Sequence, residues 1–240
     1  MTAALEVKGL HARLGDLHIL RGVDVEVPYG EVHALMGPNG SGKSTLCHAL
    51  MGKPGYETQG SALVDGNEVL GLPIDERARL GLFEAFQYPV EVPGVTLADL
   101  TAELIAAAGE DAAGTVDEAV ALSGVDAFLD RYVNVGLSGG EKKRSELMQL
   151  LALGPRAAVL DEIDSGLDVD AVRNVAEIVE GMRGPRLGVL LITHYNRILK
   201  HLDVDRVHVM VKGKIVRSGD SSLAEELEEQ GYDELLAEAG

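Results

Sequence analysis

Short apolar runs separated by turns fill the first part of the chain. Residues 5–7, 23–27 and 32–36 have the length and texture of β-strands, and Pro28-Tyr29-Gly30 turns between the last two. Residues 61–67 read as a strand running into a tight turn. From 97 to 125 the pattern changes to that of a helix, rich in Ala, Leu and Glu, with Pro89 and Pro93 at its entry. Apolar strands then return at 157–160, 187–193 and 206–211, separated by helical stretches. Strands that are apolar throughout are buried on both faces, so this alternation predicts an α/β fold with a parallel sheet covered by helices. Residues 222–239 read as an acidic helical tail whose Leu223, Leu227, Leu235 and Leu236 pack on the core.

Between the run 32–36 and the helical run 46–51 lies Gly37-Pro38-Asn39-Gly40-Ser41-Gly42-Lys43-Ser44-Thr45. It matches G-x-x-x-x-G-K-[ST] in the strand–loop–helix setting that this phosphate-binding pattern needs. Its glycines let the backbone curl so that several N–H groups face one anion. Lys43 adds a point charge for the outer phosphates, and the Ser44 hydroxyl suits Mg²⁺. ATP with Mg²⁺ is the expected guest.

Four further stretches fit hydrolysis of that guest. The strand 157–160 ends in Asp161-Glu162, and a carboxylate at the C-terminal end of a parallel strand faces the ligand crevice. Asp161 suits a water-mediated hold on Mg²⁺, and Glu162 the general base or the orienter of the attacking water. Ser138-Gly139-Gly140-Glu141 opens a helix expected over 142–153, with Ser138 as N-cap. Exposed amides at that positive helix end make a second phosphate-binding device. His194 ends the next apolar strand; it reaches a γ-phosphate and Glu162 only if the two strands are neighbours. Gln87, at the door of the helical segment, can ligate Mg²⁺ or its water.

Bulk properties narrow the field. The 240 residues carry 21 Lys+Arg against 39 Asp+Glu, a net charge of −18. Such a surface repels nucleic acid and anionic lipid, so neither is expected as a partner. The single cysteine, Cys47, excludes an intrachain disulfide and reads as a small buried apolar residue without metal-ligating partners nearby. No leader and no apolar run of membrane-spanning length is visible, which predicts a soluble, cytoplasmic protein.

In this order, the phosphate loop, Gln87, Leu137-Ser138-Gly139-Gly140-Glu141, Leu160-Asp161-Glu162 and His194 resemble the ATP-binding-cassette (ABC) ATPase family. The resemblance implies a P-loop NTPase with a RecA-like core, an antiparallel β-subdomain and an inserted α-helical subdomain. Residues 1–86 and 151–240 would form the core with its β-subdomain, and about 87–150 the helical insert carrying Ser138. It also implies a head-to-tail dimer formed on ATP binding. In that dimer Ser138, Gly139, Gly140 and Asp168, in the dimer-contacting stretch Ser165-Gly166-Leu167-Asp168, would act on ATP held by Lys43 of the other copy. Stretches outside those motifs, including Met51-Gly52-Lys53-Pro54-Gly55-Tyr56, Phe86-Gln87-Tyr88-Pro89-Val90 and Thr193-His194-Tyr195-Asn196-Arg197, are similar to the soluble ATPases of SUF iron–sulfur cluster assembly. That similarity implies SufB-like and SufD-like scaffold proteins as partners, with residues 88–95 as the candidate contact. The alternative within the family is a nucleotide-binding subunit of a membrane transporter. Many family members stack adenine on an aromatic residue; the matching His11-Ala12-Arg13-Leu14-Gly15 has none, so apolar contact is expected instead. Finally, one of Lys142, Lys143 and Arg144 is expected either to pair with Glu162 or Asp164 or to join a solvated basic face.

Overall fold

The computed structural model describes residues 3–108, 113–194 and 196–238. The chain begins with β1 (Leu5–Leu14), β2 (Leu17–Val27), β3 (Val32–Met36), α1 (Lys43–Met51), β4 (Tyr56–Val64) and β5 (Asn67–Glu68). Next come α2 (Ile74–Arg79), β6 (Leu82–Ala85), β7 (Val92–Thr96), α3 (Leu97–Ala108), α4 (Ala113–Ser123) and β8 (Tyr132–Val133). Then follow α5 (Gly139–Leu153), β9 (Ala157–Asp161), α6 (Val169–Gly181), β10 (Gly188–Ile192) and α7 (Asn196–Leu199). Last are β11 (Arg206–Val211), β12 (Lys214–Gly219), α8 (Ser222–Gln230) and α9 (Asp233–Glu238). Tyr195 and Ala239 lie outside the described residues.

A six-stranded sheet of order β12-β11-β3-β10-β9-β6 forms the centre. Its inner strands β3, β9 and β10 are buried along their whole length because both faces are covered. Val32, Ala34 and Met36 of β3, with Ala158, Leu160, Val189 and Leu191, face a core filled by α5, α6, α7 and α8. Leu35, Ala157, Val159, Leu190 and Ile192 face the other way, towards α1 and a second, antiparallel sheet of order β2-β1-β4-β5. A third core gathers Leu97, Val116, Ala119, Val133 and Leu137 with Met148 and Ala152 of α5, beside the β7–β8 ribbon. Leu147 and Leu150 of the same helix belong to the first core, so α5 joins two of the three.

The sheet is mixed rather than wholly parallel. β12 runs antiparallel to β11 at one edge, because Lys212 and Gly213 sit at φ 46° and 79° and make the two-residue hairpin turn that only an antiparallel pair accommodates. β1 extends well past residue 7: register shifts between Val7 and Leu10 accompany a left-handed Gly9 and break the alternation that a strand shows in sequence. β6 is four residues long and carries Glu84, buried, which hides it from a hydrophobicity reading. In the tail Leu223 and Leu227 are buried, and Leu235 and Leu236 pack against the same core, as expected. Among the described residues no helix is long and apolar enough to cross a membrane.

Candidate active site

Strand register assembles the site. β10 lies parallel between β3 and β9, with Ile192 opposite both Leu35 and Asp161. β6 continues the row, with Ala85 opposite Leu160. Four neighbouring strands therefore end at one level. From their C-terminal ends emerge the phosphate loop, His194, the Asp161-Glu162 pair and Gln87. The adjacency on which His194 depends is met.

The loop's glycines are required by space and conformation. Gly37 has φ 151°, and a Cβ there would sit 2.1 Å from the Met210 carbonyl oxygen. Gly42 caps α1 at φ 114°. Lys43 is buried and folds back over the loop, its Nζ donating to the carbonyls of Gly37 at 2.7 Å and Pro38 at 3.2 Å. Burial lowers its pKa to about 8, against the opposing pull of Glu162 and Asp161. Ser44 is exposed on the first turn of α1, and Asn39 and Gly40 are also open to solvent.

Asp161 is buried at the end of β9. Burial first, and Glu162 second, raise its pKa to about 6. Among the described residues, its Oδ1 and the buried Ser41 Oγ have no hydrogen-bond partner. Buried polar atoms are normally satisfied, so two orphans beside a phosphate loop fit a hydrated cation and an anion. Glu162 turns the chain at φ 48°, and its N–H donates to Ile192 O at 2.9 Å. Its carboxylate is held from two sides: Gln87 Nε2 donates to Oε2 at 2.5 Å, and His194 Nε2 meets Oε1. His194 Nδ1 lies 3.4 Å from Gly37 O, tying the histidine to the phosphate loop as well.

Ser138, Gly139, Gly140 and Asp168 are not part of this assembly. They line a separate hollow of about 360 Å³ with Glu141, Arg144 and Gly166. Ser138 caps α5 through a full capping box with Glu141. Asp168 caps α6, accepting from Ala171 N at 2.8 Å. One copy of the chain thus keeps the phosphate loop and the N-terminus of α5 in two separate places.

Residues 20–165, more than half of the chain, match the sequence profile of the ABC transporter family. This chain belongs to the ABC ATPase family. A Streptococcus pyogenes serotype M3 protein named a probable ABC transporter ATP-binding protein is 50% identical over 246 positions, covering 98% of this chain and 96% of its own length. The probable ATP-dependent transporter SufC of Escherichia coli K12 is 45% identical, over 95% of this chain and 97% of its own. An ABC transporter's ATP-binding cassette solved in its ADP conformation superposes with a TM-score of 0.78 at 22% identity, covering 99% and 98% of the two chains. The protein is an ATP-hydrolysing ABC ATPase of SufC type.

In this ABC ATPase the basic cluster does not reach Glu162 or Asp164. Lys142 pairs with Glu91 at 2.8 Å. Lys143 pairs with Glu146 at 3.5 Å and donates to the carbonyls of Phe86 and Gln87. Arg144 donates to Gly124 O and lies over the Phe128 ring. Asp164 instead accepts from Thr193 Oγ1 at 3.1 Å, with Arg197 alongside at 3.8 Å. Cys47 is buried as expected, and burial pushes its thiol pKa well up. It has polar neighbours all the same: ligand atoms of Cys47, Glu84 and Asp161 lie within 4.8 Å of one another. Burial and the nearby Asp161 raise the Glu84 pKa to about 7. Glu84 sits alone among the apolar residues of β6, and Glu146 ends a polar run on α5, so neither belongs to a motif. Only their burial singles them out.

Proposed function

We propose that this ABC ATPase is the ATP-driven motor of a cytoplasmic iron–sulfur cluster scaffold built from SufB-like and SufD-like proteins. Two copies close head to tail on ATP and open after its hydrolysis, and the scaffold follows that movement. The observation that supports the catalytic half is the Glu162 carboxylate, held between Gln87 and His194 at the mouth of the phosphate loop.

Roles follow from placement. The curled loop from Gly37 to Thr45 (Pro38, Asn39, Gly40, Ser41, Gly42) offers backbone N–H groups to the phosphates, and Lys43 leaves the loop carbonyls for the outer phosphates. Ser44, Gln87 and, through water, Asp161 would hold Mg²⁺, which neutralises charge on the triphosphate. Gln87 donates to Glu162 through nitrogen and would ligate Mg²⁺ through oxygen, so its two roles would use different atoms. Glu162 takes a proton from the attacking water, and His194 steadies both Glu162 and the terminal phosphate. Ser138, Gly139, Gly140 and Asp168 complete the site of the other copy. Residues 87–150 serve as the helical subdomain that carries them, and residues 1–86 and 151–240 as the nucleotide-binding core.

The scaffold half rests on the likeness to SufC and on a surface. Just beyond Gln87, Tyr88 and Val90 are 78% and 67% exposed, with Phe86, Val92 and Tyr132 also open to solvent. Such a patch beside a γ-phosphate sensor suits a partner that is moved by it. The alternative, a subunit of a membrane transporter, draws on the name of the streptococcal relative.

Glu162→Gln is expected to bind Mg-ATP as the parent chain does while turnover falls about 10²–10⁴-fold; retained turnover contradicts the assignment. Tyr88→Ser is expected to lose the SufB-like and SufD-like partners in a pull-down while still binding ATP. Undiminished capture, or recovery of the chain with a membrane fraction, speaks for the alternative.

A further inference from the structure

Residues 86 and 87 lie just past β6, the edge strand, where the ladder no longer supplies hydrogen-bond partners. One buried ion pair on α5 supplies them instead. Phe86 N–H donates to Glu146 Oε1 at 3.0 Å. Lys143 Nζ donates to Phe86 O and, at 3.0 Å, to Gln87 O. Lys143 and Glu146 lie 3.5 Å apart and are only 3% and 6% exposed. Two apolar residues of similar volume would hold α5 on the sheet as well or better, because a buried pair sacrifices hydration for little net stability. An apolar pair could not grip the backbone at 86–87.

We infer that Lys143 and Glu146 are positioning residues for Gln87, clamping its backbone to α5 so that the Ser138 end of that helix and the Gln87 side chain move as one body. The inference rests on the reading above in taking Gln87 as part of the ATP site and Ser138 as engaging the nucleotide of a second copy. The path is short and made of direct contacts: α5 holds the backbone of 86–87, and Gln87 Nε2 holds Glu162 at 2.5 Å. Nucleotide engaged by Ser138 of one copy is thereby reported to Glu162 of that same copy, which couples the two sites of a dimer.

The test uses the paired variant Lys143→Met/Glu146→Leu, which removes the clamp without orphaning a charge. In hydrogen exchange on the full chain without added nucleotide, the Phe86 amide is expected to exchange about tenfold faster or more, with the α5 amides unchanged. An unchanged Phe86 amide overturns the clamp whatever the ATPase activity. In turnover, kcat is expected to fall about 10–100-fold with KM for ATP nearly constant. The same pair introduced into Gln87→Ala is expected to cost little more, because its effect runs through Gln87. Equal losses in the two backgrounds, or no loss in either, overturn the positioning role. A chain that hydrolyses no ATP at all would sink the motor reading, while the exchange result still judges the clamp.

Discussion

Glu162 occupies the left-handed region of backbone space, which costs a non-glycine residue on the order of 1–3 kcal/mol. Surrounding contacts hold it there: its N–H is bound to Ile192 O, and its carboxylate to Gln87 and His194. The strained turn aims the carboxylate at the phosphate loop instead of along the strand. Away from the site, a second buried polar chain makes its own prediction. His208 Nε2 lies 3.1 Å from His33 Nδ1 and its Nδ1 2.7 Å from Ser218 Oγ, while His33 meets Glu31 at 2.8 Å. Burial, then His33 and Arg206, push the His208 pKa down to about 4. Below the ordinary histidine pKa of about 6.5 the unfolded chain takes up a proton that the folded chain refuses until about pH 4. Stability is therefore expected to fall across that window, by roughly 2–3 kcal/mol from this residue. Denaturant titrations from pH 7 to pH 4 should show the slope, and His208→Gln should flatten it; an identical slope in the variant contradicts the assignment.

α5 joins two of the cores and, in the proposed function, also meets nucleotide, and substitutions at its N-cap separate the two. Ser138→Ala removes the capping box and is expected to cost about 1 kcal/mol. Ser138→Asp keeps a good cap, so its melting temperature should stay close to that of the parent. It also places a negative charge where the other copy's phosphates would come, and ATP-dependent dimerisation should be lost. A large drop in melting temperature for Ser138→Asp, or dimerisation that survives it, contradicts this division. The same helix shows what could be read from sequence. Ser138 is legible as a cap because its partner Glu141 is three residues away. The partners of Lys143 are not, because Phe86 and Gln87 lie more than fifty residues off and meet it only after the chain folds. Phosphate loop, Asp161-Glu162 and His194 were legible because each ends an apolar strand. That β10 lies between β3 and β9, which lets His194 meet Glu162, belongs to strand order and has no local signature. The part of β1 beyond residue 7, and all of β6, have no such signature for a similar reason: a bulge and a buried glutamate interrupt their alternation.

Across the whole molecule the separation of the phosphate loop from the Ser138 hollow is the fact to explain. The two are built from different strands and helices of one chain, and in the proposed function each takes a part of the same nucleotide. A second copy turned head to tail would bring them together twice. The net charge of −18 on each copy opposes that approach, so closure is expected to need salt to screen the repulsion, with bound Mg-ATP bridging the two faces. The direct measurement is sedimentation equilibrium of Glu162→Gln with saturating Mg-ATP at physiological ionic strength. The account predicts a species of twice the chain mass holding two ATP, reverting to single chains when ADP replaces ATP. A protein that binds ATP but stays at the mass of one chain would contradict it.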